Sequence, residues 1–182
     1  MRKLKHEEIP RPDPLRVQTL PKHPIRAVLD NVRSLHNVGS MFRTSDAAAV
    51  EHLYLTGITG TPDNPALRKT ALGAQNTVAW SHEADARSVV RSLHAQGHTI
   101  AVLEITDTPT DIDSLQARHF PLCLVVGNEI SGVNDEVLDL ADMAFEIPQF
   151  GAKQSLNVSV AYGIALYDIL RVYHRLFGPP VD

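Results

Sequence analysis

The stretch from residue 25 to residue 50 reads IRAVLDNVRSLHNVGSMFRTSDAAAV. Its first five residues, 25–29, form an apolar run that ends at Asp30, as expected of a buried strand. From residue 39 to residue 50 the apolar residues follow helical spacing, with Met41 and Phe42 on one side. A buried strand, a polar loop and a helix form the repeating unit of parallel α/β proteins.

The same alternation continues along the rest of the chain. We predict strands at residues 52–56, 76–80, 98–103, 121–126 and 143–147, and helices at residues 85–96, 135–140 and 156–176. Near-continuous apolar strands between helices indicate a sheet that is covered on both faces. The sequence therefore predicts an α/β domain on a parallel sheet of five or six strands, with any ligand at the carboxyl ends of the strands.

The amino-terminal part differs from the rest in charge and in proline content. Residues 1–26 contain seven Lys or Arg and three acids, whereas the remainder contains ten against eighteen. Five prolines between Pro10 and Pro24 discourage regular structure. We divide the chain into a basic, proline-rich arm, residues 1–23, and one α/β domain, residues 24–182. Such an arm can bind RNA phosphates or can serve only as a solubilising tail.

Composition excludes several classes of protein. No apolar run approaches the roughly 20 residues of a membrane span, and the amino terminus has no apolar signal segment, so we expect a cytoplasmic protein without a membrane partner. The single cysteine, Cys123, lies in the apolar run FPLCLVVG and is expected to fill the core. The motifs GxxxxGK[ST], GxGxxG, GxSxG and HExxH are absent, and no two histidines share one helix face four residues apart, so we expect no metal.

Three loops that follow predicted strands contain polar residues of interest. In the first, Asn37 precedes Gly39 and Arg43, and an arginine stands where a helix start usually has an acid. In the second, residues 127–134 (GNEISGVN), Glu129 lies between two glycines that permit close backbone approach. The third, residues 147–159 (IPQFGAKQSLNVS), leads into the last helix, which Ser155 or Asn157 can cap.

The last predicted helix, residues 156–176, is apolar nearly all round. Small residues at Ala161, Gly163 and Ala165 allow another element to approach it closely. Something must cover such a helix, and in a domain of this size a partner subunit is the natural candidate.

Together the three loops resemble the signature motifs of the SpoU (TrmH) family of RNA ribose 2′-O-methyltransferases, in the SPOUT superfamily. The matching positions are Asn37-x-Gly39-x-x-x-Arg43, Gly127-x-Glu129-x-x-Gly132 and Ser155-Leu-Asn157-Val-Ser159, and the resemblance runs from about Pro24 to the carboxyl terminus. It implies a deep carboxyl-terminal trefoil knot, S-adenosylmethionine as methyl donor without a metal, RNA as substrate, and a homodimer through the last helix and the knot region.

The resemblance also implies roles for individual residues. The implied catalytic residues are Arg43, Asn37, Glu129, Ser155 and Asn157, and the implied cofactor-binding residues are Leu103, Gly127, Ile147 and Leu156, of which Leu103 has the weakest motif match. A ribose hydroxyl is a poor nucleophile at neutral pH, and these motifs offer no His or Cys as base. Arg43 would orient an RNA phosphate and stabilise alkoxide charge, or would deprotonate the hydroxyl, which is the harder role for a guanidinium.

Two departures from the family pattern bear on the substrate. The third loop reads PQFGAKQ, where many relatives have a methionine before the glycine. The separate amino-terminal RNA-binding domain of many ribosomal-RNA members is not found, which leaves RNA binding to the arm and favours tRNA over rRNA. Two alternatives stay open: a non-catalytic knotted RNA-binding relative, and a methyltransferase with a substrate other than RNA.

Overall fold

The computed structural model describes residues 1–9 and 13–178 and is built on a sheet of six parallel strands. The strands are β1 (His23–Asp30), β2 (Val50–Thr56), β3 (Trp80–Glu83), β4 (Thr99–Leu103), β5 (Leu122–Val126) and β6 (Met143–Phe145). Their order across the sheet is β3-β2-β1-β5-β4-β6, and all neighbouring pairs are parallel. The predicted α/β class and strand number are confirmed.

The described residues also form six α-helices: α1 (Pro14–Thr19), α2 (Leu35–Ala47), α3 (Pro65–Ala71), α4 (Ala86–Ala95), α5 (Asp135–Leu138) and α6 (Val158–Phe177). Short 3₁₀ turns lie at His6–Glu8, Ala74–Asn76, Ile112–Ser114 and Ala117–His119. From α2 onward every helix begins after a polar residue whose side chain accepts a backbone N–H of the first turn, namely Ser34, Asn64, Asp85, Asn134 and Asn157. Such caps satisfy donors that the helix cannot pair internally.

Two separate apolar cores cover the two faces of the sheet. Successive side chains of β5 point to opposite faces, so Cys123 and Val125 belong to one core and Leu124 and Val126 to the other. Cys123 is fully buried, and this burial raises the pKa of its thiol to about 12. The thiol therefore fills the core as predicted. Within the described ranges, no helix is long and apolar enough to span a lipid bilayer.

Several predicted boundaries are wrong, and in each case a cap or a turn sets the boundary. Of the predicted strand at residues 76–80, only Trp80 lies in the strand, which is Trp80–Glu83; Asn76 ends the 3₁₀ turn Ala74–Asn76, and residues 77–79 connect the two. Helix α3 was not predicted. Helix α2 begins four residues before the predicted start because Ser34 caps it, so Asn37 and Gly39 lie inside the helix.

The amino-terminal arm contains more regular structure than its prolines indicate. Pro14 is the first residue of helix α1, where the missing N–H costs nothing because the first turn has no partner for it. The Gln18 side chain then donates a hydrogen bond of 2.7 Å to the Asn76 carbonyl oxygen. The part of the predicted arm at residues 10–12 and the end of the predicted domain at residues 179–182 lie outside the described residues.

Helix α6 has one covered face and one exposed face. Its covered face packs on its own domain, and the Tyr162 hydroxyl there lies 2.8 Å from the Ser45 hydroxyl. On the opposite face Val160, Ile164 and Tyr167 keep 50%, 39% and 51% of their surface exposed. These three side chains share a face because they are spaced by four and three residues. The helix was expected to need a partner on all sides, but only this exposed face is left without one in its own domain.

Gly39 marks the closest approach of helices α2 and α3. A Cβ atom at this position would lie 2.7 Å from Thr70 Cβ and 2.9 Å from the Leu67 carbonyl oxygen. The glycine is therefore explained by helix packing.

Replacing Gly39 by alanine should destabilise the protein by about 1–3 kcal/mol, since the added methyl group forces two helices apart. Helix propensity alone would have the opposite effect, because it favours alanine over glycine by about 1 kcal/mol. Gly163→Ala is the matched control, because there the nearest atom, Thr44 Cγ2, would be 3.7 Å away, an ordinary contact. Urea unfolding of both variants measures the difference, and equal effects would contradict the packing role of Gly39.

Candidate active site

Four strands end at the same edge of the sheet. In the register of the sheet Val126 pairs with Leu29 on one side and with Leu103 on the other, and Leu103 also pairs with Phe145. Because parallel strands carry their following loops to one edge, the predicted loops are brought together there.

A cavity of about 500 Å³ opens at this edge. Its lining comes from the loops after β4, β5 and β6 and from the start of α6: Leu103, Glu104, Ile105, Val126, Gly127, Asn128, Glu129, Ile130, Gly132, Phe145, Glu146, Ile147, Gln149, Ser155, Leu156, Asn157, Val158 and Ala161. All four residues predicted to bind a cofactor line the cavity. So do three of the five predicted catalytic residues, Glu129, Ser155 and Asn157.

The loop after β5 folds back tightly on itself. Asn128 and Gly132 exchange two backbone hydrogen bonds of 3.0 Å each, and a Cβ atom at Gly127 would collide with the backbone of Gly132 and Val133. Only a glycine fits at residue 127, since the two backbone segments are in contact there. This part of the cavity wall is consequently formed by backbone.

Two side chains that the sequence motifs did not identify hold this loop in place. The Glu104 carboxylate accepts hydrogen bonds from the backbone N–H groups of Val133 and Ile105, at 2.9 and 3.0 Å. The Asn128 amide donates a 2.8 Å hydrogen bond to the Asn31 carbonyl oxygen. The one available signal was the position of Glu104, a carboxylate directly after a buried strand.

Glu129 connects the loop after β5 to the start of helix α2. Its carboxylate accepts hydrogen bonds from the backbone N–H groups of Arg33 and Ser34, each at 3.0 Å, and from the Asn37 side-chain amide at 2.9 Å. Partial burial opposes ionisation, but these donors together with the N–H of Glu129 itself outweigh it and lower the pKa of the carboxyl. A carboxylate at a helix amino terminus is also favoured by the helix dipole.

Asn37 continues this connection to the third loop. Its side-chain oxygen accepts a 3.1 Å hydrogen bond from the Asn157 amide, and the Asn157 oxygen accepts from the backbone N–H and hydroxyl of Ser159 at 2.9 and 2.7 Å. The direction is determined, because a carboxylate at Glu129 can only accept, so Asn37 must turn its NH₂ towards it. We call this series, Glu129–Asn37–Asn157–Ser159, the motif chain.

Arg43 is not brought to these residues within one chain. It lies six residues after Asn37 on α2, about 9 Å further along the helix axis. Its side chain is exposed, does not line the cavity, and makes no hydrogen bond or ion pair within the described part of the chain. Its neighbour Thr44 faces Gly163 of α6. Arg43 therefore lies on α2 outside the motif chain.

No group of three or more His, Cys, Asp or Glu side chains in residues 1–9 and 13–178 is arranged to hold a metal ion. The cavity instead combines apolar walls, backbone and a few polar side chains, which is typical of a site for an organic small molecule.

Fold and site define an α/β protein with a cavity of small-molecule size at the carboxyl edge of its parallel sheet. Residues 24–167 match the SpoU rRNA Methylase family, and the chain belongs to that family. The resemblance of its three motifs to this family is thereby confirmed.

Similar curated proteins include two bacterial enzymes. The 23S rRNA (guanosine-2′-O-)-methyltransferase RlmB of Haemophilus influenzae is 33% identical over 150 residues, which cover 82% of this chain and 61% of that protein. The tRNA (guanosine(18)-2′-O)-methyltransferase of Escherichia coli K12 is 31% identical over 146 residues, or 79% of this chain and 61% of that protein. The chain thus spans about three-fifths of the length of these relatives.

Solved structures show the same fold. The A. aeolicus TrmH/SpoU tRNA modifying enzyme superposes with a TM-score of 0.78 at 29% identity, covering 87% of this chain and 80% of that one. The AdoMet-bound rRNA methyltransferase from Sinorhizobium meliloti gives a TM-score of 0.76 at 28% identity, covering 88% and 61%.

Replacing Glu129 by glutamine should destabilise the protein by about 1 kcal/mol at pH 7, since solvent exposure weakens the charged hydrogen bonds. The folded-state pKa of Glu129 is lowered, so its contribution is complete above the ordinary glutamate pKa of about 4.3 and is lost as the pH falls through the folded-state value. Unfolding free energies at pH 7 and pH 3.5 measure this. A difference between variant and wild type that does not shrink in acid would contradict the charged role.

Proposed function

We propose that this chain is an S-adenosylmethionine-dependent RNA methyltransferase that methylates a ribose 2′-hydroxyl, with tRNA favoured over rRNA. The observation that carries the proposal is the motif chain, in which side chains from the loop after β5, the first turn of α2 and the start of α6 join beside a ligand-sized cavity. Both curated relatives described above are named as guanosine 2′-O-methyltransferases, and one solved relative contains AdoMet.

The cavity residues fit S-adenosylmethionine. A volume of about 500 Å³ lies within the range of small-molecule sites. Leu103, Ile147 and Leu156 supply apolar walls for an adenosine moiety, and at Gly127 a ligand can approach the backbone directly. When bound, S-adenosylmethionine supplies an electrophilic methyl group on a sulfonium.

Transfer requires that the ribose oxygen forms a bond to the methyl carbon while the carbon–sulfur bond breaks. The electron pair of that bond stays on the sulfur, which becomes a neutral thioether, and the hydroxyl proton passes to solvent water at the open mouth of the cavity. The Glu129 carboxylate is an unsuitable base, because three donors already occupy it. We assign Glu129 and Asn37 a positioning role, in which they hold Asn157 at the rim of the cavity. Ser155 and Asn157, which are exposed at that rim, orient the ribose, and close in-line placement supplies much of the acceleration.

Arg43 is the remaining cation of the motifs, and its exposed guanidinium is available to RNA. We propose that it binds a phosphate beside the target ribose and stabilises the negative charge that develops on the oxygen. The arm, residues 1–23, adds positive charge that can bind further phosphates. The preference for tRNA is supported by the A. aeolicus TrmH/SpoU tRNA modifying enzyme, of which this chain covers 80%.

We propose further that α6 forms a homodimer interface, and that the segment of chain leading into α6 forms a knot. The exposed stripe of Val160, Ile164 and Tyr167 is the kind of surface that a second copy covers. Strand β6 lies at the sheet edge, whereas α6 packs on α2 and contacts the β4–β5 connection, in which Asp113 lies 3.5 Å from Arg175. Passage of the chain inside that connection would make the knot. Light scattering at micromolar concentration tests the dimer, and a monomer mass would contradict it.

The activity is tested with labelled S-adenosylmethionine and purified tRNA and rRNA, followed by alkaline hydrolysis. Ribose methylation yields alkali-resistant dinucleotides, whereas base methylation does not. Donor binding without transfer to either RNA would indicate a non-catalytic relative, and label on another molecule would indicate a different substrate.

Arg43→Ala should reduce single-turnover methyl transfer by two orders of magnitude or more, which corresponds to roughly 3 kcal/mol in the barrier. Arg43→Lys should recover little, because an ammonium lacks the planar fork of a guanidinium. Calorimetric titration with S-adenosylmethionine should show nearly unchanged donor affinity for both variants. Transfer close to the wild-type rate would return Arg43 to the status of a surface cation.

A further inference from the structure

The charge of the cavity lining is one-sided. Three carboxylates line it, those of Glu104, Glu129 and Glu146, and among the residues that the structure describes no Lys, Arg or His side chain joins them. A concave site lined by one sign of charge concentrates the electric field within it, so this cavity favours a cationic ligand over a neutral one of the same shape.

Two of the three carboxylates are occupied by the protein itself. Glu104 binds the backbone N–H groups of Ile105 and Val133, and Glu129 binds the start of α2. Glu146 differs from both. It lies directly after β6, is half-buried, and has no hydrogen bond or ion pair with any residue of the described chain. Its negative charge is therefore available to a ligand.

We propose that Glu146 makes the cavity prefer the methyl donor to the spent product, S-adenosylhomocysteine. This inference rests on the proposed function. Donor and product share the adenosine, the amino group and the carboxylate, but the sulfonium of the donor becomes a neutral thioether after transfer. A carboxylate near the sulfur thus attracts the donor and loses that attraction at the moment of transfer, which favours exchange of product for fresh donor.

The effect is expected to be moderate, since the cavity is open to solvent. A partly exposed ion pair contributes up to about 1 kcal/mol, and tenfold in affinity corresponds to about 1.4 kcal/mol. Neutralising Glu146 should therefore weaken donor binding about three- to fivefold and leave product binding within about twofold.

The experiment compares Glu146→Gln with the wild-type protein by calorimetric titration, without RNA. Three probes are used: S-adenosylmethionine, S-adenosylhomocysteine, and sinefungin, which carries an amine in place of the sulfonium. Sinefungin carries the positive charge without the sulfonium methyl group. Its affinity for Glu146→Gln should therefore fall as the affinity for the donor does. The matched control is Glu83→Gln. Glu83 is an exposed glutamate at the end of β3, the outermost strand on the side of the sheet away from β6.

A selective loss for the two cationic probes in Glu146→Gln, absent in Glu83→Gln, supports the proposal. Equal weakening of all three probes, or no change, overturns it and leaves the proposed function intact, because the wild-type protein still binds the donor. Failure of the wild-type protein to bind S-adenosylmethionine overturns both. Thermal unfolding of each variant shows whether a loss of binding reflects loss of fold.

Discussion

The carboxylate of Glu129 fixes how the functional loops lie relative to one another. The ionised carboxylate accepts hydrogen bonds from three donors around the start of α2 at once. Because a carboxylate can only accept, the Asn37 side chain must point its NH₂ group towards it, which fixes the orientation of that amide. That orientation sets the amide of Asn157, which caps the start of α6. Residues 92 and 120 positions apart in sequence are thereby held within hydrogen-bond distance. The cavity keeps its shape because its loops are tied to each other as well as to the sheet.

Much of the fold could be predicted because apolar periodicity reports burial directly. The runs around Leu29, Leu103 and Val126 are strands, and they end at one edge as a parallel sheet requires. The errors at residues 76–80, at α1 and at the start of α2 arise where single polar residues or prolines set a boundary, and such effects are weak against the periodic signal.

The site could be predicted in part. Motif spacing indicated the residues that line the cavity, but it could not indicate how they contact one another, since Glu129, Asn37 and Asn157 come from segments far apart in sequence. Glu104 could not be predicted because its partners are backbone N–H groups, which cannot be identified from a sequence pattern. The packing role of Gly39 could not be predicted for a similar reason, because the close approach of α2 and α3 depends on Thr70 and Leu67, some thirty residues away. Arg43 remains a candidate, since its exposed side chain lies outside the cavity lining.

Hydrogen exchange of the Asn37→Ala variant tests most directly whether the motif chain ties the loops together. The substitution removes the link between Glu129 and Asn157 but leaves the bonds from Arg33 and Ser34 to Glu129. We expect backbone exchange at residues 127–133 and 153–159 to be about fivefold faster in the variant than in the wild type, equivalent to roughly 1 kcal/mol. Exchange in the strands should be unchanged. Faster exchange confined to the first turn of α2, with both loops as in the wild type, would contradict this expectation.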